Sequence, residues 1–532
     1  MSIIQDQVQN PIVGAIANHQ LRELTYPIEI ESEVTPITMN HADGMRFYRR
    51  SLTFLLETVF HQLFPEALLT IDHSVASGGF FCQVYNRLPL LSQELDQFEA
   101  EMRRLVAENL PFIRKEYPLE EAIKYFKDLG YLDKVSLLKH RKKDHLILYS
   151  LGDHRDYHHG YMVPSTGYLK WFQLESMGDG FILRFPRRHW PTELQPLPDY
   201  LTLLETFRQY GDWLSRLGID SVGALNDAIL DDRIYEIVLV SEALHEQRIA
   251  EIAGMIAERQ RQVRLILISG PSSSGKTTFS KRLSIQLLAR GISPFPMEMD
   301  NYFVDRDQTP VDEDGELDFE SVAAVNTQHL SVDLQALIAG KKVQLPHFDF
   351  RSGRSEPGET VQLLPGQIII LEGIHGLNPQ LTPNIPSEQI FRVYASALTQ
   401  LNLDRHNRVS TTDTRLIRRI VRDARDRGYS AQETIERWES VRRGEKRYIF
   451  PYQENADVMF NSALVYELAA LKPLAEPVLR QVPFGSPSYI EAKRLLTFLE
   501  WFLPVDQDPI PDNSILKEFI GHSSLLKFKI WK

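Results

Sequence analysis

The residues best suited to chemistry form the string GPSSSGKTT at 270–278, which has the spacing G-x-x-x-x-G-K-[ST]. Glycines at both ends let the backbone wrap so that successive N–H groups point at a phosphate, and the helix that follows adds its positive end. Lys276 is placed to reach the β- and γ-phosphate oxygens, and the Thr277 hydroxyl to ligate Mg²⁺. The string therefore predicts binding of ATP and Mg²⁺ through Gly270, Ser272, Ser273, Ser274, Gly275, Lys276, Thr277 and Thr278.

Two acids follow runs that are typical of buried strands. Asp300 comes directly after the run at 294–299, and Glu372 directly after the run at 368–371. The carboxyl ends of parallel strands share one sheet edge with such a loop, so Asp300 is placed to accept a proton from an acceptor hydroxyl, and Glu372 to hold Mg²⁺ directly or through water. Together with Lys276 they are the predicted catalytic residues. The alternative for each acid is a solvated residue at a strand end.

Arginines crowd the stretch 415–427, although the chain as a whole carries a formal net charge of −12. Arg415, Arg419 and Arg422 are spaced to share one face of a helix. Such a face can bind phosphate bidentately and supply positive charge to a transition state when a lid closes. The alternative is a surface helix whose arginines pair with Asp423 and Asp426.

Length and composition limit the class of protein. A chain of 532 residues exceeds one hydrophobic core, and 43% hydrophobic with 24% charged residues is typical of a folded protein. No apolar run approaches the roughly 20 residues of a membrane span, and Cys82 has no second cysteine to pair with. We expect a soluble, cytoplasmic protein without membrane contacts. The acidic net charge disfavours nucleic-acid binding over the whole surface.

Changes of pattern along the chain predict how these residues are held. Residues 10–40 are β-rich, the following stretch mixes helices and strands, and residues 231–262 have the apolar spacing of a connecting helix. From Val263 onward, apolar strand runs alternate with helical ones, which predicts a parallel sheet with helices on both faces. The expected division is 1–40, 41–217, 218–262, 263–480 and a helical tail at 481–532.

The motifs between 263 and 465 together resemble the uridine kinase and phosphoribulokinase family of P-loop kinases. They include the P-loop, DNYF at 300–303, PHFDF at 346–350, IIILEG at 368–373 and the arginine-rich stretch. The resemblance implies an α/β fold and transfer of the γ-phosphoryl group of ATP to a hydroxyl of a nucleoside such as uridine, or of a related ribose-like or sugar-like molecule. It assigns the catalytic aspartate to Asp300 and phosphate contacts to Arg422 and Arg427. It assigns substrate contacts to Asp300, Tyr302, Phe348 and Arg419.

The substrate pocket departs from that family. A tyrosine and a histidine that meet the base in uridine–cytidine kinases correspond here to Phe348 and Gly353, and two further positions to Tyr429 and Arg437. Loss of a phenol and an imidazole removes hydrogen bonds to a pyrimidine edge. Two alternatives follow: a kinase for an unrelated metabolite, and an RNA-associated regulator that senses nucleotide. Asp300 separates them, since a sensor needs no base for an acceptor hydroxyl.

The N-terminal half resembles the second editing domain of threonyl-tRNA synthetases. The matching segments are 43–44, 51–65, 78–80 and 163–170, and residues 12–40 resemble the second half of the preceding TGS domain. The expected fold for 41–217 is α+β, with the chain beginning inside the TGS module. This resemblance leaves tRNA binding open, and the sequence leaves the oligomeric state and the reason for the fusion open.

The editing chemistry of that family requires histidines and a cysteine that can hold zinc. The corresponding positions here are Arg50, Phe54, His158 and Met162, so at most one ligand remains. His154, His158 and His159 form a local cluster, for which a solvated or core-packed loop is the simpler interpretation. We expect no stoichiometric zinc and no hydrolysis of misacylated tRNA, and a domain that binds, regulates or stabilises.

Overall fold

The N-terminal half is built from short strands around one long helix. The computed structural model describes residues 5, 8–75, 78–197, 201–313 and 315–529. The elements of this half are β1 (Ile12–Ala17), β2 (Gln20–Arg22), β3 (Val34–Thr38), α1 (Ala42–Leu63), β4 (Leu68–Val75), β5 (Gly79–Tyr85), α2 (Ser92–Glu108), β6 (Ile113–Pro118), α3 (Leu119–Asp128), α4 (Leu132–Lys139), β7 (His145–Leu151), β8 (His154–Asp156), β9 (Gln173–Met177), β10 (Gly180–Arg184) and α5 (Leu201–Leu217).

The C-terminal half begins with two helices that lead into alternating strands and helices. Its elements are α6 (Val222–Leu230), α7 (Ile234–Glu258), β11 (Leu265–Ser269), α8 (Lys276–Ala289), β12 (Pro294–Glu298), α9 (Thr327–Ile338), β13 (Val343–Asp349), β14 (Arg354–Val361), β15 (Ile368–Glu372), β16 (Ile390–Ser396), α10 (Thr411–Asp426), α11 (Ala431–Tyr448), β17 (Val458–Asn461), α12 (Glu467–Leu479), α13 (Tyr489–Leu499) and α14 (Lys517–Ile520).

Antiparallel sheets form the N-terminal half. Their strand orders are β2-β1-β3, β4-β5-β10-β9 and β6-β7-β8. Helix α1 lies among them because most of its length is apolar and buried, and the ring of His41 caps it by accepting from the Asp43 N–H. Strands and helices are thus mixed without a parallel sheet among the described residues, which confirms the α+β prediction for this half.

A parallel sheet with the order β12-β15-β11-β16-β17 forms the centre of the C-terminal half. Alternate residues of its strands face opposite cores: Ile266 and Ile268 pack on the side of α8, whereas Leu265 and Leu267 pack on the side of α9. Because side chains alternate along a strand, both faces are covered by helices. The predicted α/β fold of a P-loop kinase is confirmed.

The two halves share a packed boundary. One apolar cluster contains Phe81 and Ile182 from the N-terminal half together with Tyr394 and Met459 from the C-terminal half. Strand β4 also bonds across, since the Ile71 N–H donates to the Arg405 carbonyl at 2.8 Å. No helix within the described ranges is long and apolar enough to cross a membrane. The division of the chain at 40, 217, 262 and 480 stays a prediction.

Candidate functional site

The loop at 270–278 connects β11 to α8 at the carboxyl edge of the parallel sheet. A Cβ on Gly270 would lie 1.9 Å from the Ala395 carbonyl oxygen, so only glycine allows the loop to leave β11 against β16. Gly275 has φ +80°, and Ser273 takes the same left-handed region with φ +58°. These conformations curl the loop around a space where its backbone N–H groups can meet an anion.

The first two side chains of α8 are Lys276 and Thr277, which were predicted to contact phosphate and Mg²⁺. Lys276 Nζ donates to the Pro271 carbonyl at 3.2 Å and so lies across the loop. Thr277 Oγ1 donates to Glu372 Oε1 at 3.0 Å, which joins the loop to the end of β15. A hydroxyl beside a carboxylate offers the oxygen ligands that Mg²⁺ prefers, so these two residues fit the predicted metal site.

The acids around Lys276 resist ionisation. Burial raises the pKa of Glu372 to about 7, with Lys276 opposing the shift and the carboxylates of Glu518 and Asp300 adding to it. Burial also raises the pKa of Asp300, which Lys276 again opposes. Asp300 lies in a 3-10 turn after β12, as predicted, with its side chain open to the cleft. The described part of the site therefore has more carboxylate than positive charge, and a bound cation would correct that imbalance.

Glu320 is a further acid of this site that the sequence gave no reason to select. Burial raises its pKa to about 7, Glu445 and Asp300 raise it further, and Arg419 and Lys276 lower it. Its Oε2 atom is buried without a hydrogen-bond partner. Glu320 stands in a loop without a recognisable motif, and only the fold brings it near Lys276.

The arginines of helix α10 and its C-terminal end form two groups, which differ in their carboxylate partners. Arg419 Nη1 donates to the P-loop hydroxyl Ser272 Oγ at 2.8 Å, which supports a role near phosphate. The buried carboxylate of Asp423 lies 3.2 Å from Arg419 Nε, 2.9 Å from Arg422 Nη2 and 3.5 Å from Arg427 Nη1. Asp423 thus holds together the three arginines assigned to ATP and substrate, which also accords with the salt-bridged alternative.

Arg415 lies on the same face of α10 as Arg419, as helical spacing predicts. Arg415 donates through Nε to the Ser272 carbonyl at 2.9 Å, and both guanidinium groups lie over the Trp438 ring. Arg415 is buried and pairs with Glu445, a partner that the sequence did not indicate. Arg418 is buried as well, pairs with Glu467, and donates to the Ser273 carbonyl. Both arginines therefore contact carbonyl groups of the P-loop.

Two residues assigned to the substrate are buried in the core. The Tyr302 hydroxyl donates to Asp333 Oδ2 at 3.0 Å. Phe348 packs against Phe303 and Phe350, with ring centroids 5.6 and 5.1 Å away. Both side chains pack in the core, and the Tyr302 hydroxyl is already bonded to Asp333, so their assignment to the substrate stays a prediction.

The other positions that depart from the family's pocket are filled by arginine. A Cβ on Gly353 would meet Arg306 Nε at 2.6 Å, so the guanidinium occupies the space beside that glycine. The Arg437 guanidinium lies 4.5 Å over the ring of Tyr429. An arginine side chain thus lies beside each of these two positions.

A second residue that the sequence did not indicate comes from the C-terminal tail. Glu518 Oε2 accepts from the Thr278 N–H at 3.2 Å and from Thr278 Oγ1 at 2.8 Å. These are donors of the predicted phosphate-binding loop. The tail thus places a carboxylate where the loop offers hydrogen bonds to an anion.

In the N-terminal half, the four positions predicted to replace zinc ligands carry apolar or basic side chains and one histidine. Phe54 is fully buried, with ring centroids 5.4 Å from His154 and 5.7 Å from His158. Met162 is 1% exposed. Arg50 donates to the Tyr161 carbonyl, and a Cβ on Gly160 would lie 2.7 Å from its guanidinium. Phe54 and Met162 therefore offer no metal ligand, and Arg50 brings positive charge.

The histidines of this region are buried and have partners, which agrees with the core-packed interpretation and not with the solvated one. His158 Nε2 lies 3.2 Å from Glu57 Oε2, and His406 Nδ1 lies 2.8 Å from Asp156 Oδ2. Glu57, Asp156 and His406 are close enough to hold a metal ion. However, Lys134 Nζ is fully buried 3.0 Å from Asp156, and its positive charge opposes a cation there.

Known proteins resemble the two halves separately. Residues 265–469 match the model of the Phosphoribulokinase / Uridine kinase family. The N-terminal region matches threonine–tRNA ligases: 35% identity over 163 residues with that of Methylococcus capsulatus, and 31% over 203 residues with that of Polaromonas naphthalenivorans. These alignments cover 30% and 36% of this chain, and 25% and 32% of the ligases. The chain therefore spans only about a quarter to a third of these relatives.

Solved structures resemble the chain weakly. A structure described as a possible uridine kinase from Bacillus stearothermophilus is 18% identical, with TM-score 0.27, and covers 40% of this chain and 98% of its own. D-glycerate 3-kinase from Cryptococcus neoformans is 15% identical, with TM-score 0.22, and covers 50% of this chain and 89% of its own. No functional conclusion rests on similarities of this size.

Proposed function

We propose that this chain, whose residues 265–469 form a phosphoribulokinase/uridine kinase family domain, transfers the γ-phosphoryl group of ATP to a hydroxyl of a sugar-like molecule. The observation that carries the proposal is the Thr277–Glu372 hydrogen bond of 3.0 Å next to Lys276, on the sheet edge that also holds Asp300. Together they offer a phosphate cradle, oxygen ligands for Mg²⁺ and a base, which are the parts that phosphoryl transfer needs.

The reaction divides among these side chains. Asp300 takes the proton of the acceptor hydroxyl as its oxygen attacks the γ-phosphorus, and the bond to the β–γ bridging oxygen breaks to leave ADP. The raised pKa of Asp300 makes its carboxylate a better base near neutral pH. Lys276 stabilises charge that develops on the phosphoryl oxygens, and bound Mg²⁺ supplies further positive charge.

Acceptor chemistry favours a ribose-like or other sugar hydroxyl over recognition of a pyrimidine base. Phe348 is buried, and the side chain of Arg306 fills the space beside Gly353. No phenol or imidazole stands at these two positions to read a base edge. Uridine remains one acceptor to be tested among sugars and other nucleosides.

The decisive experiment measures ATP consumption against a panel of nucleosides, sugars and sugar acids, with wild type and Asp300→Asn side by side. We expect one acceptor class to stimulate turnover, and Asp300→Asn to lower kcat roughly 10²-fold with little change in ATP affinity. Unchanged turnover with Asp300→Asn on every acceptor would contradict the assignment. A large loss of ATP binding in that variant would instead make Asp300 a metal ligand.

For the N-terminal half we propose a role in binding, regulation or stability without hydrolysis of tRNA esters. Phe54 offers no metal ligand, and the positive charge of Lys134 beside Asp156 opposes a hydrolytic zinc. Elemental analysis should find no stoichiometric zinc, and seryl-tRNA should not be deacylated. One zinc per chain that is lost on His158→Ala would overturn this proposal.

A further inference from the structure

A cavity of about 500 Å³ lies between the two halves and is unusually rich in positive charge. Among the described residues, its lining contains ten arginine or lysine side chains and three carboxylates, an excess of seven cations. We call it the interdomain cavity. It is formed by α1, the segment after β10, and the helices α10, α11 and α13, and none of the residues predicted to bind ATP lines it.

Internal ion pairs account for only part of this charge. Arg46 and Arg494 share Glu491, Arg494 also pairs with Asp413, and Arg188 pairs with Glu439. These contacts use all three of the cavity's carboxylates. Four other cations of the lining have no carboxylate of the described residues within ion-pair distance: Arg49, Arg50, Arg408 and Lys446.

Arg49 is the strongest sign of a missing anion. Its Nε atom is buried and has no hydrogen-bond partner. Burial lowers the pKa of Arg49 to about 9, and the like charges of Arg46, Arg187 and Arg408 lower it further. A protein rarely gathers buried guanidinium groups unless carboxylate or phosphate oxygens receive their hydrogen bonds.

We propose that the interdomain cavity binds a small anion that carries at least two phosphoryl groups. One phosphoryl group brings a charge of about −1.5 to −2, so a single one would leave most of the excess uncompensated. The planar guanidinium groups suit bidentate contact with phosphate oxygens. Aromatic rings in the lining, including Phe80 and Phe185, can contact the organic part of a phosphorylated ligand. Inorganic pyrophosphate and a nucleoside polyphosphate therefore share the phosphoryl groups that the cavity recognises.

The cavity is connected to the P-loop by a short chain of contacts. Arg415 and Arg442 line it, and both pair with the buried Glu445. Glu445 Oε1 accepts from the Ser272 N–H at 3.1 Å. An anion that attracts these arginines changes the charge beside the P-loop, which links occupancy of the cavity to nucleotide binding.

Calorimetric titration of inorganic pyrophosphate into the full chain, without Mg²⁺, tests the proposal. The variants are Arg49→Gln, Arg408→Gln, Lys276→Ala and the surface control Arg104→Gln on α2. We expect Arg49→Gln and Arg408→Gln each to weaken one binding event at least 10-fold, while Lys276→Ala and Arg104→Gln leave that event unchanged. Thermal unfolding checks that each variant is folded. Arg49→Lys should recover part of the affinity because it restores the positive charge without the planar guanidinium group.

The same experiment contains the outcomes that would contradict the proposal. Absence of any pyrophosphate binding, or binding that Lys276→Ala abolishes and Arg49→Gln leaves intact, would place the anion in the P-loop alone. A tRNA acceptor minihelix that binds through Arg49 at 100-fold lower concentration than pyrophosphate would make the cavity an RNA site and overturn the proposal. Titration of ATP into Lys276→Ala distinguishes a nucleoside polyphosphate from inorganic pyrophosphate as the ligand of the cavity. If ATP binds more tightly than pyrophosphate, the ligand is a nucleotide. If ATP binds equally or more weakly, the ligand is inorganic.

Discussion

The carboxylates of the P-loop site and the Glu57 carboxylate of the N-terminal half differ in how their charge is balanced. Near the P-loop, burial raises the pKa of Glu372 and Glu320 to about 7, and Lys276 compensates them only in part. In the N-terminal half, Glu57 is also buried, yet the neighbouring His158 and His406 hold its pKa down to about 2. At the P-loop site, the protein's own cations balance the carboxylates only in part. In the N-terminal half, neighbouring side chains balance the charge of Glu57.

This difference separates a working site from a structural one. An excess of protonatable carboxylate is costly unless a ligand brings positive charge, as Mg²⁺ does. The network of Lys134, Asp156, Asp404 and His406 instead joins the two halves, since the first two residues come from one half and the last two from the other. This buried network therefore holds the two halves together.

The largest effect should come from Lys276→Ala, which removes the cation from the P-loop site. We expect phosphoryl transfer to fall below detection with an unchanged fold, because the partly buried lysine at the start of α8 packs in no apolar core and acts on phosphate charge. ATP turnover measures the loss of phosphoryl transfer, and a thermal melt measures whether the fold is unchanged. Lys341→Ala, an exposed lysine of the same domain, is the control. Near-full turnover in Lys276→Ala would contradict the assignment of residues 270–278 as the phosphate-binding loop.

The next largest effect should be Lys134→Met, which removes the cation from the closed network. Two buried carboxylates, Asp156 at 3.0 Å and Asp404 at 2.8 Å, would lose their partner, at a cost of about 3–5 kcal/mol in the free energy of unfolding. Denaturant titration checks it. Lys143→Met breaks an exposed pair with Glu500 and should cost less than about 1 kcal/mol. Equal costs for both variants would mean that the network does not fasten the halves.

A smaller effect concerns pH. Glu372 has a folded-state pKa of about 7, above the usual value of 4.5, so it stabilises the fold below pH 4.5 and this contribution is lost as pH rises through 7. Glu372→Gln should therefore be more stable than wild type by about 1–2 kcal/mol at pH 8 and nearly equal at pH 5. Urea titrations at both pH values measure it. An advantage confined to pH 5 would mean that the carboxylate is already compensated.

The smallest effect should be that of Glu518→Ala in the C-terminal tail. The Glu518 carboxylate holds the Thr278 N–H and hydroxyl and competes with a nucleotide phosphate for them. We expect the KM for ATP to fall roughly 3-fold with kcat unchanged, which corresponds to less than about 1 kcal/mol. Steady-state kinetics against the exposed control Glu500→Ala test it. A higher KM would show that Glu518 supports the loop.

Local pattern was sufficient for much of the C-terminal half. The glycine spacing at 270–275, the apolar runs and the acids at strand ends predict a P-loop, a parallel sheet and the positions of Lys276, Asp300 and Glu372. These features follow from neighbouring residues along the chain, because a strand, a tight turn and a helix are each specified within about ten residues. The sequence also predicted the α+β character of the N-terminal half.

Only the tertiary structure decided which charged residues are compensated. Helical spacing placed Arg415 on one face with Arg419 and Arg422, but it did not indicate that Glu445, 30 residues further along the chain, pairs with Arg415 in a buried position. Glu518 reaches Thr278 across 240 residues, and His406 reaches Asp156 across 250. A pKa and an ion pair depend on desolvation and on charges within a few ångströms. Only folding brings those charges together. The sequence could therefore identify the ionisable groups but not which of them have a partner of opposite charge.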